Sequence, residues 1–146
     1  MLIRNEEYGF SFVVPDDYRE IPKEKYGEYN IDSSTLHVFV KVKDNEPYTI
    51  SLNRDDSVEN EQEYSELLYC NAKNMETIGM KIEERTFKTD GRARVDTFYS
   101  RFRGLRFATR FTVIRGIMVA CSVEIKEKGD ENDLILAALY DSIEEI

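Results

Sequence analysis

A chain of 146 residues with nine tyrosines, eight phenylalanines and 41% hydrophobic residues has the size and apolar content of one folded domain, 1–146. That content excludes a disordered chain even though 34% of the residues are charged, and the net charge of −9 excludes general nucleic-acid binding, which needs a basic surface. No apolar run is long enough to span a bilayer as a helix, so no membrane partner is expected.

The first segment, Met1-Leu2-Ile3-Arg4-Asn5-Glu6-Glu7, carries acids where a signal peptide needs an apolar core, so the expected location is the cytoplasm. Leu2-Ile3 can pair with the next run through an Asn5-Glu6-Glu7 turn. That run, Tyr8 to Val14, places Phe10, Phe12 and Val14 on one side of a strand by period-two alternation. Pro15 cannot donate a ladder hydrogen bond and ends it, and Asp16-Asp17 supply turn chemistry. Residues 19–33, with Pro22, Gly27, Tyr26 and Tyr29, read as an irregular loop. Leu36, Val38, Val40 and Val42 alternate with His37, Phe39, Lys41 and Lys43 in a strand. A turn over Asp44-Asn45-Glu46-Pro47 joins it to a second strand with Tyr48, Ile50 and Leu52.

Ser57 is the expected cap of a helix in which Tyr64, Leu67, Leu68, Ala72, Met75 and Ile78 form the buried stripe, stopped by Gly79. Asp90-Gly91, Arg103-Gly104 and Arg115-Gly116 then punctuate residues 80–126 at near-regular intervals, which predicts a four-stranded antiparallel meander. Two-residue loops pair Phe102 with Leu105 and Ile114 with Ile117. In that register one face holds Phe98, Phe102, Leu105, Phe107, Phe111, Val113 and Met118. The other holds Val95, Tyr99, Ile114, Ile117, Val119, Cys121, Val123 and Ile125, interrupted by Arg101, Arg106 and Arg110. A sheet apolar on both faces needs cover on both. A last helix capped by Asp130, with Ile135, Leu139 and Ile143 buried between Leu134 and Ile146, supplies part of it. The expected fold class is α+β: a mainly antiparallel β-sheet with helices on both faces.

The strand Tyr8-Gly9-Phe10-Ser11-Phe12 ending at Pro15, followed by Asp16-Asp17-Tyr18, resembles the opening of PsbP-like and DcrB-like domains. The later order of two strands, a long helix, a meander and a C-terminal helix with Ser142-Ile143 is similar to theirs. The resemblance implies an α/β/α sandwich of the kind shared by photosynthetic PsbP proteins, bacterial DcrB lipoproteins and a Ran-binding nuclear import factor. It also implies a mostly non-enzymatic role.

Few residues offer chemistry. His37 is the only histidine, which excludes a His-based metal cluster; its alternation with Leu36 and Val38 suggests a surface position. Cys70 and Cys121 read as buried thiols and not as a disulfide. Asp130-Glu131-Asn132-Asp133 lacks a calcium-loop framework and reads as a helix cap. No phosphate loop, dinucleotide fingerprint or zinc spacing occurs, so no cofactor and no catalytic site are expected.

Charge is the stronger signal. Residues 81–115 carry ten Lys or Arg against four Asp or Glu in an otherwise acidic chain. Arg101 lies directly opposite Arg106, with Arg110 farther along the same face, and like charges in that position require compensation. Glutamates of a covering helix would supply it; alternatively, the arginines form a site for an acidic partner. The expected function is a non-catalytic protein-interaction module. Its candidate contact residues are Arg101, Arg106 and Arg110, or the loop residues Tyr18, Tyr26 and Tyr29. The partner is another protein, with a homodimer as one arrangement. A small acidic chaperone for a secreted protein and a small-ligand carrier are the alternatives.

Overall fold

Alternation of aromatic and small residues dictates a strand with one apolar side at the start of the chain. The computed structural model, which describes residues 1–56, 60–90 and 93–146 apart from the side chains of Lys73, Asp90 and Ala93, forms it. Strand β1 (Leu2–Asn5) runs antiparallel to β2 (Phe10–Val13), with Ile3 opposite Phe12. Phe10, Phe12 and Val14 are fully buried, and the two rings stack 5.8 Å apart. Burying side chains of this size contributes about 1.5–3 kcal/mol each.

The loop expected over 19–33 contains a two-residue strand, β3 (Arg19–Glu20), and one 3-10 turn at Lys23–Lys25. Strands β4 (Thr35–Lys43) and β5 (Glu46–Asp55) form the expected hairpin. Its turn is tighter than the sequence suggests. Asp44 and Asn45 both take positive φ (55° and 62°), and Lys43 already pairs with Glu46.

The helical segment differs from its prediction. Ser57 lies outside the described residues; Asn60 is the cap, its side chain accepting from Glu63 N at 3.0 Å. Helix α1 (Glu61–Cys70) stops at Asn71, and α2 (Ala72–Glu76) follows as a short separate piece. Ser65 is the wholly buried residue of α1, whereas Leu67 and Ile78 face solvent. The reason is that α1 sits over a buried polar group of the sheet, and a serine meets it better than a leucine.

The meander is as expected: β6 (Met80–Asp90), β7 (Ala93–Phe102), β8 (Leu105–Ile114) and β9 (Ile117–Ile125). Phe102 pairs with Leu105 and Ile114 with Ile117. Arg103-Gly104 and Arg115-Gly116 place both turn residues at positive φ (52° and 80°, 49° and 81°), the geometry of a two-residue hairpin. The Asp90-Gly91 turn falls outside the described residues. Helix α3 (Glu131–Asp141) is capped by Asp130, which accepts from Asp133 N at 2.9 Å. It ends at Asp141, short of the predicted Ile146. Leu136 and Leu139 are its buried apolar residues, while Ile135 and Ile143 are half-buried. The chain then adds β10 (Glu144–Glu145) to the free side of β2.

Two sheets result: β1-β2-β10, and the seven-stranded β3-β4-β5-β9-β8-β7-β6. The main core lies between the small sheet and α3 on one side and Phe39, Ile50, Leu52, Ala108, Cys121 and Val123 of the large sheet on the other. Helix α1 covers the opposite face, where the Tyr64 ring meets Phe111 at 4.9 Å and Phe111 meets Phe98 at 5.8 Å. Helices therefore stand on both faces of a mainly antiparallel sheet. His37 is not a surface residue: the small sheet closes over it, leaving its ring against Phe10, Phe12 and Phe39. Cys121 is buried as expected, but Cys70, on the outer side of α1, is exposed.

Candidate functional site

The register that sets Arg101 opposite Arg106 is present, and on the other side Arg101 pairs with Lys81. Three cations thus form one row across β6, β7 and β8. A bulge in β6 between Ile82 and Glu84 answers it. An extra residue in a strand turns two successive side chains to the same side, so Glu83 and Glu84 both face the row. Glu83 Oε1 lies 3.3 Å from Arg101 Nε and accepts a hydrogen bond from Arg106 Nε at 3.1 Å. Its neighbour Glu84 accepts from Lys128 Nζ at 2.6 Å. The compensating anion therefore comes from the adjacent strand and not from a covering helix. Burial pushes the Glu83 carboxyl up, but the hydrogen bonds from Arg106 and Arg101, together with their charges, hold it below the usual range.

Arg106 also donates to the Lys126 carbonyl at 3.3 Å, tying the row to the loop after β9. Lys126 Nζ sits 3.1 Å from Glu46 and 5.8 Å from the Tyr48 ring centre. These residues line an open cleft of about 380 Å³ with Arg101, Arg106 and Glu124. Glu124 is buried, which raises its pKa despite a 3.3 Å hydrogen bond from Thr49 Oγ1. Arg110 does not join the cluster. Its Nε donates to Thr97 Oγ1 at 2.9 Å, and its guanidinium lies over Tyr140 of α3 at 5.6 Å.

The three tyrosines separate. Tyr18 is 1% exposed, its hydroxyl without a hydrogen-bond partner among the described residues and its ring 4.9 Å from Lys41 Nζ, so it presents no outer surface. It packs inward because β3 and β4 draw the chain after Pro15 under α3, where Lys41 donates to Asn132 Oδ1 at 3.2 Å. Tyr26 is half-buried, and its phenol is raised by burial and by Glu20. Tyr29 is 59% exposed and borders a second open cleft, of about 410 Å³, with Ile21, Pro22, Val40 and Val42.

Two polar centres were not legible as such in the sequence. His37 Nδ1 is 2.6 Å from Glu20 Oε2 and its Nε2 is 3.0 Å from Asn5 Nδ2. Asn5 Oδ1 accepts from Tyr8 N at 2.9 Å, so its amide nitrogen is the group facing Nε2. That ring nitrogen must accept, which places the proton on Nδ1, toward Glu20. No nucleophile enters this arrangement, and it fixes the ring between the two sheets. On the other face, buried Asp96 accepts from Arg94 Nε at 2.7 Å and Nη2 at 3.0 Å, and from the hydroxyl of Ser65. Burial pushes Asp96 up, yet the bonds from Arg94 and Ser65 and the charges of Arg94 and Arg85 hold it below its ordinary value.

Among the described residues, no group of three His, Cys, Asp or Glu side chains could hold a metal ion. No helix among them is long and apolar enough to cross a membrane.

No family model matches the chain, and no curated protein matches it by sequence. Solved structures do match it in shape. The solution structure of cyanobacterial PsbP (CyanoP) from Synechocystis sp. PCC 6803 is similar over 100% of this chain and 92% of its own, with 10% identity and a TM-score of 0.67. The crystal structure of LpqN, involved in cell envelope biogenesis of Mycobacterium tuberculosis, is similar over 98% of this chain and 88% of its own, with 13% identity and a TM-score of 0.51. At these identities the likeness is one of architecture, and it extends over nearly the whole chain. The chain has the PsbP-like α+β fold.

Proposed function

We propose that this chain is a non-catalytic protein-interaction module whose arginine end takes an acidic segment of another protein. The observation that carries the reading is the row Lys81–Arg101–Arg106, in which two facing guanidiniums share the single carboxylate of Glu83. Each guanidinium has five N–H donors, and Glu83 engages one on each. One Arg106 Nη1 donor is taken by the Lys126 carbonyl; both guanidiniums border an open cleft, in the planar geometry that grips carboxylates in pairs. Concentrating cations at one place on a chain of net charge −9 also orients an acidic partner toward that end. The free thiols of Cys70 and Cys121 suit a reducing compartment, in keeping with a cytoplasmic role.

The test is binding of a labelled poly-glutamate peptide to the wild-type protein and to the variant R101A/R106A, at low and at physiological salt. The expected result is salt-sensitive binding that the double variant weakens by tenfold or more. Equal binding by both proteins, with circular dichroism showing both folded, overturns the assignment.

A further inference from the structure

The two edges of the large sheet are finished differently. At one end β3 is two residues long, pairs with Phe39 and Val40 of β4, and is followed at once by Ile21-Pro22. At the other, β6 runs for eleven residues, Met80–Asp90, with no strand among the described residues on its outer side. Natural sheets blunt such edges with bulges, charges or short strands, because an unpaired row of peptide groups templates another chain. The bulge at Glu83 disrupts the first part of β6, but from Glu84 onward its register with β7 is regular.

Which peptide groups are free follows from the ladder. Phe102 and Leu105 close a two-residue turn, so the even residues of β7 bond to β8 and the odd ones to β6. The β6 partners of Tyr99, Thr97 and Val95 are Glu84, Thr86 and Lys88. Their peptide groups point inward, and those of Arg85 and Phe87 point out. Phe87 is also 54% exposed, its ring lying 3.8 Å from the Arg94 guanidinium and 4.9 Å from that of Arg85.

We propose that β6 pairs antiparallel with β6 of a second copy of this chain, about a twofold axis at Thr86. In that register the outward residues Arg85 and Phe87 of one copy exchange hydrogen bonds with Phe87 and Arg85 of the other. The same step sets each guanidinium beside the partner's exposed ring, an extension of the stack the monomer already shows. On the opposite face Glu84 falls beside Lys88 of the other copy, twice by symmetry, an attractive cross-strand pair. A one-residue slip of the pairing sets outward peptide groups against inward ones and breaks the ladder, and an axis at Arg85 or Phe87 keeps the ladder but loses both Glu84–Lys88 pairs. The occupant is a second copy because the sequence of this edge is complementary to itself in charge and in ring contacts.

Sedimentation equilibrium over a wide concentration range tests the pairing, with wild-type protein, K88E, E84K and an equal mixture of the two variants. Wild type is expected to dimerise, and each variant, placing like charges opposite one another, to self-associate about tenfold more weakly. The mixture restores both charge pairs in a heterodimer and recovers wild-type affinity. Amide exchange on the unsubstituted protein gives a second readout, with Arg85 and Phe87 becoming protected as concentration rises. A wild-type monomer at every concentration overturns the proposal, as does a dimer that neither variant weakens. A monomer that pairs β6 only with a foreign extended peptide also overturns it.

Discussion

Replacing Glu83 by alanine removes the carboxylate shared by Arg101 and Arg106. The lost contacts are those at 3.3 and 3.1 Å, among side chains that range from a quarter to a half exposed. Pairs in this setting contribute about 0.2–1 kcal/mol each. The facing guanidiniums, left without an anion, repel by about 0.2–1 kcal/mol more. The expected cost is about 1–2 kcal/mol, read as a fall in Tm of about 3–6 °C by circular dichroism. Salt should shrink it, because the site is partly solvated. In an R101A/R106A background the same substitution should cost almost nothing, since neither guanidinium remains to bridge. The pH dependence has a definite sign. The folded Glu83 carboxyl titrates below its ordinary value of 4.5, so its stabilisation is complete above that value and is lost as pH falls through the lower folded value. Wild-type and E83A stabilities should therefore converge in acid. An E83A protein as stable as wild type at neutral pH, or an equal cost in both backgrounds, refutes the shared-anion reasoning.

Tyr18→Phe removes a buried hydroxyl that has no hydrogen-bond partner among the described residues while keeping the ring beside Lys41. It should stabilise the fold by about 1 kcal/mol in thermal unfolding, and an unchanged or lower Tm counts against that reading. Ser65→Ala withdraws the hydroxyl that Asp96 accepts beneath α1, at an expected cost of about 1–2 kcal/mol; a neutral substitution would show the bond to be dispensable. Burial pushes the Cys121 thiol up to about 12, whereas Cys70 is exposed. A thiol reagent should modify one cysteine quickly in the native protein and both in denaturant, and two fast thiols in the native state would contradict the burial.

Patterns of period two and left-handed turn residues carried far in the sequence. The meander register was legible because Arg103-Gly104 and Arg115-Gly116 tolerate positive φ, and once the turns are placed the pairing of every later residue follows. That is why Arg101 could be set against Arg106. The anion between them was not legible, since a bulge leaves no compositional mark and only the ladder shows that Glu83 and Glu84 share a side. Helix α1 misled for a related reason. Hydrophobic periodicity selects Leu67 and Ile78, but the sheet beneath presents Asp96, and the buried helical position went to Ser65. His37 looked like a surface residue because its strand alternates in the usual way. Its burial depends on a second sheet assembled from distant segments, and local pattern carries no signal of that.

That second sheet ties folding to chain order. Strand β2 is held on one side by β1, its neighbour in sequence, and on the other by β10; Val13 N bonds to Ser142 Oγ across 129 residues. The β1-β2 hairpin can form early, but a hairpin alone is only marginally stable in water. Its aromatic side meets His37 and Phe39 of β4, but its second edge is paired only when β10 arrives. Loops this long close slowly, and their entropy is lost before the contacts that offset it are made. A chain still lacking residues 131–145 would therefore leave one edge of β2 unpaired, an open ladder for any extended segment nearby.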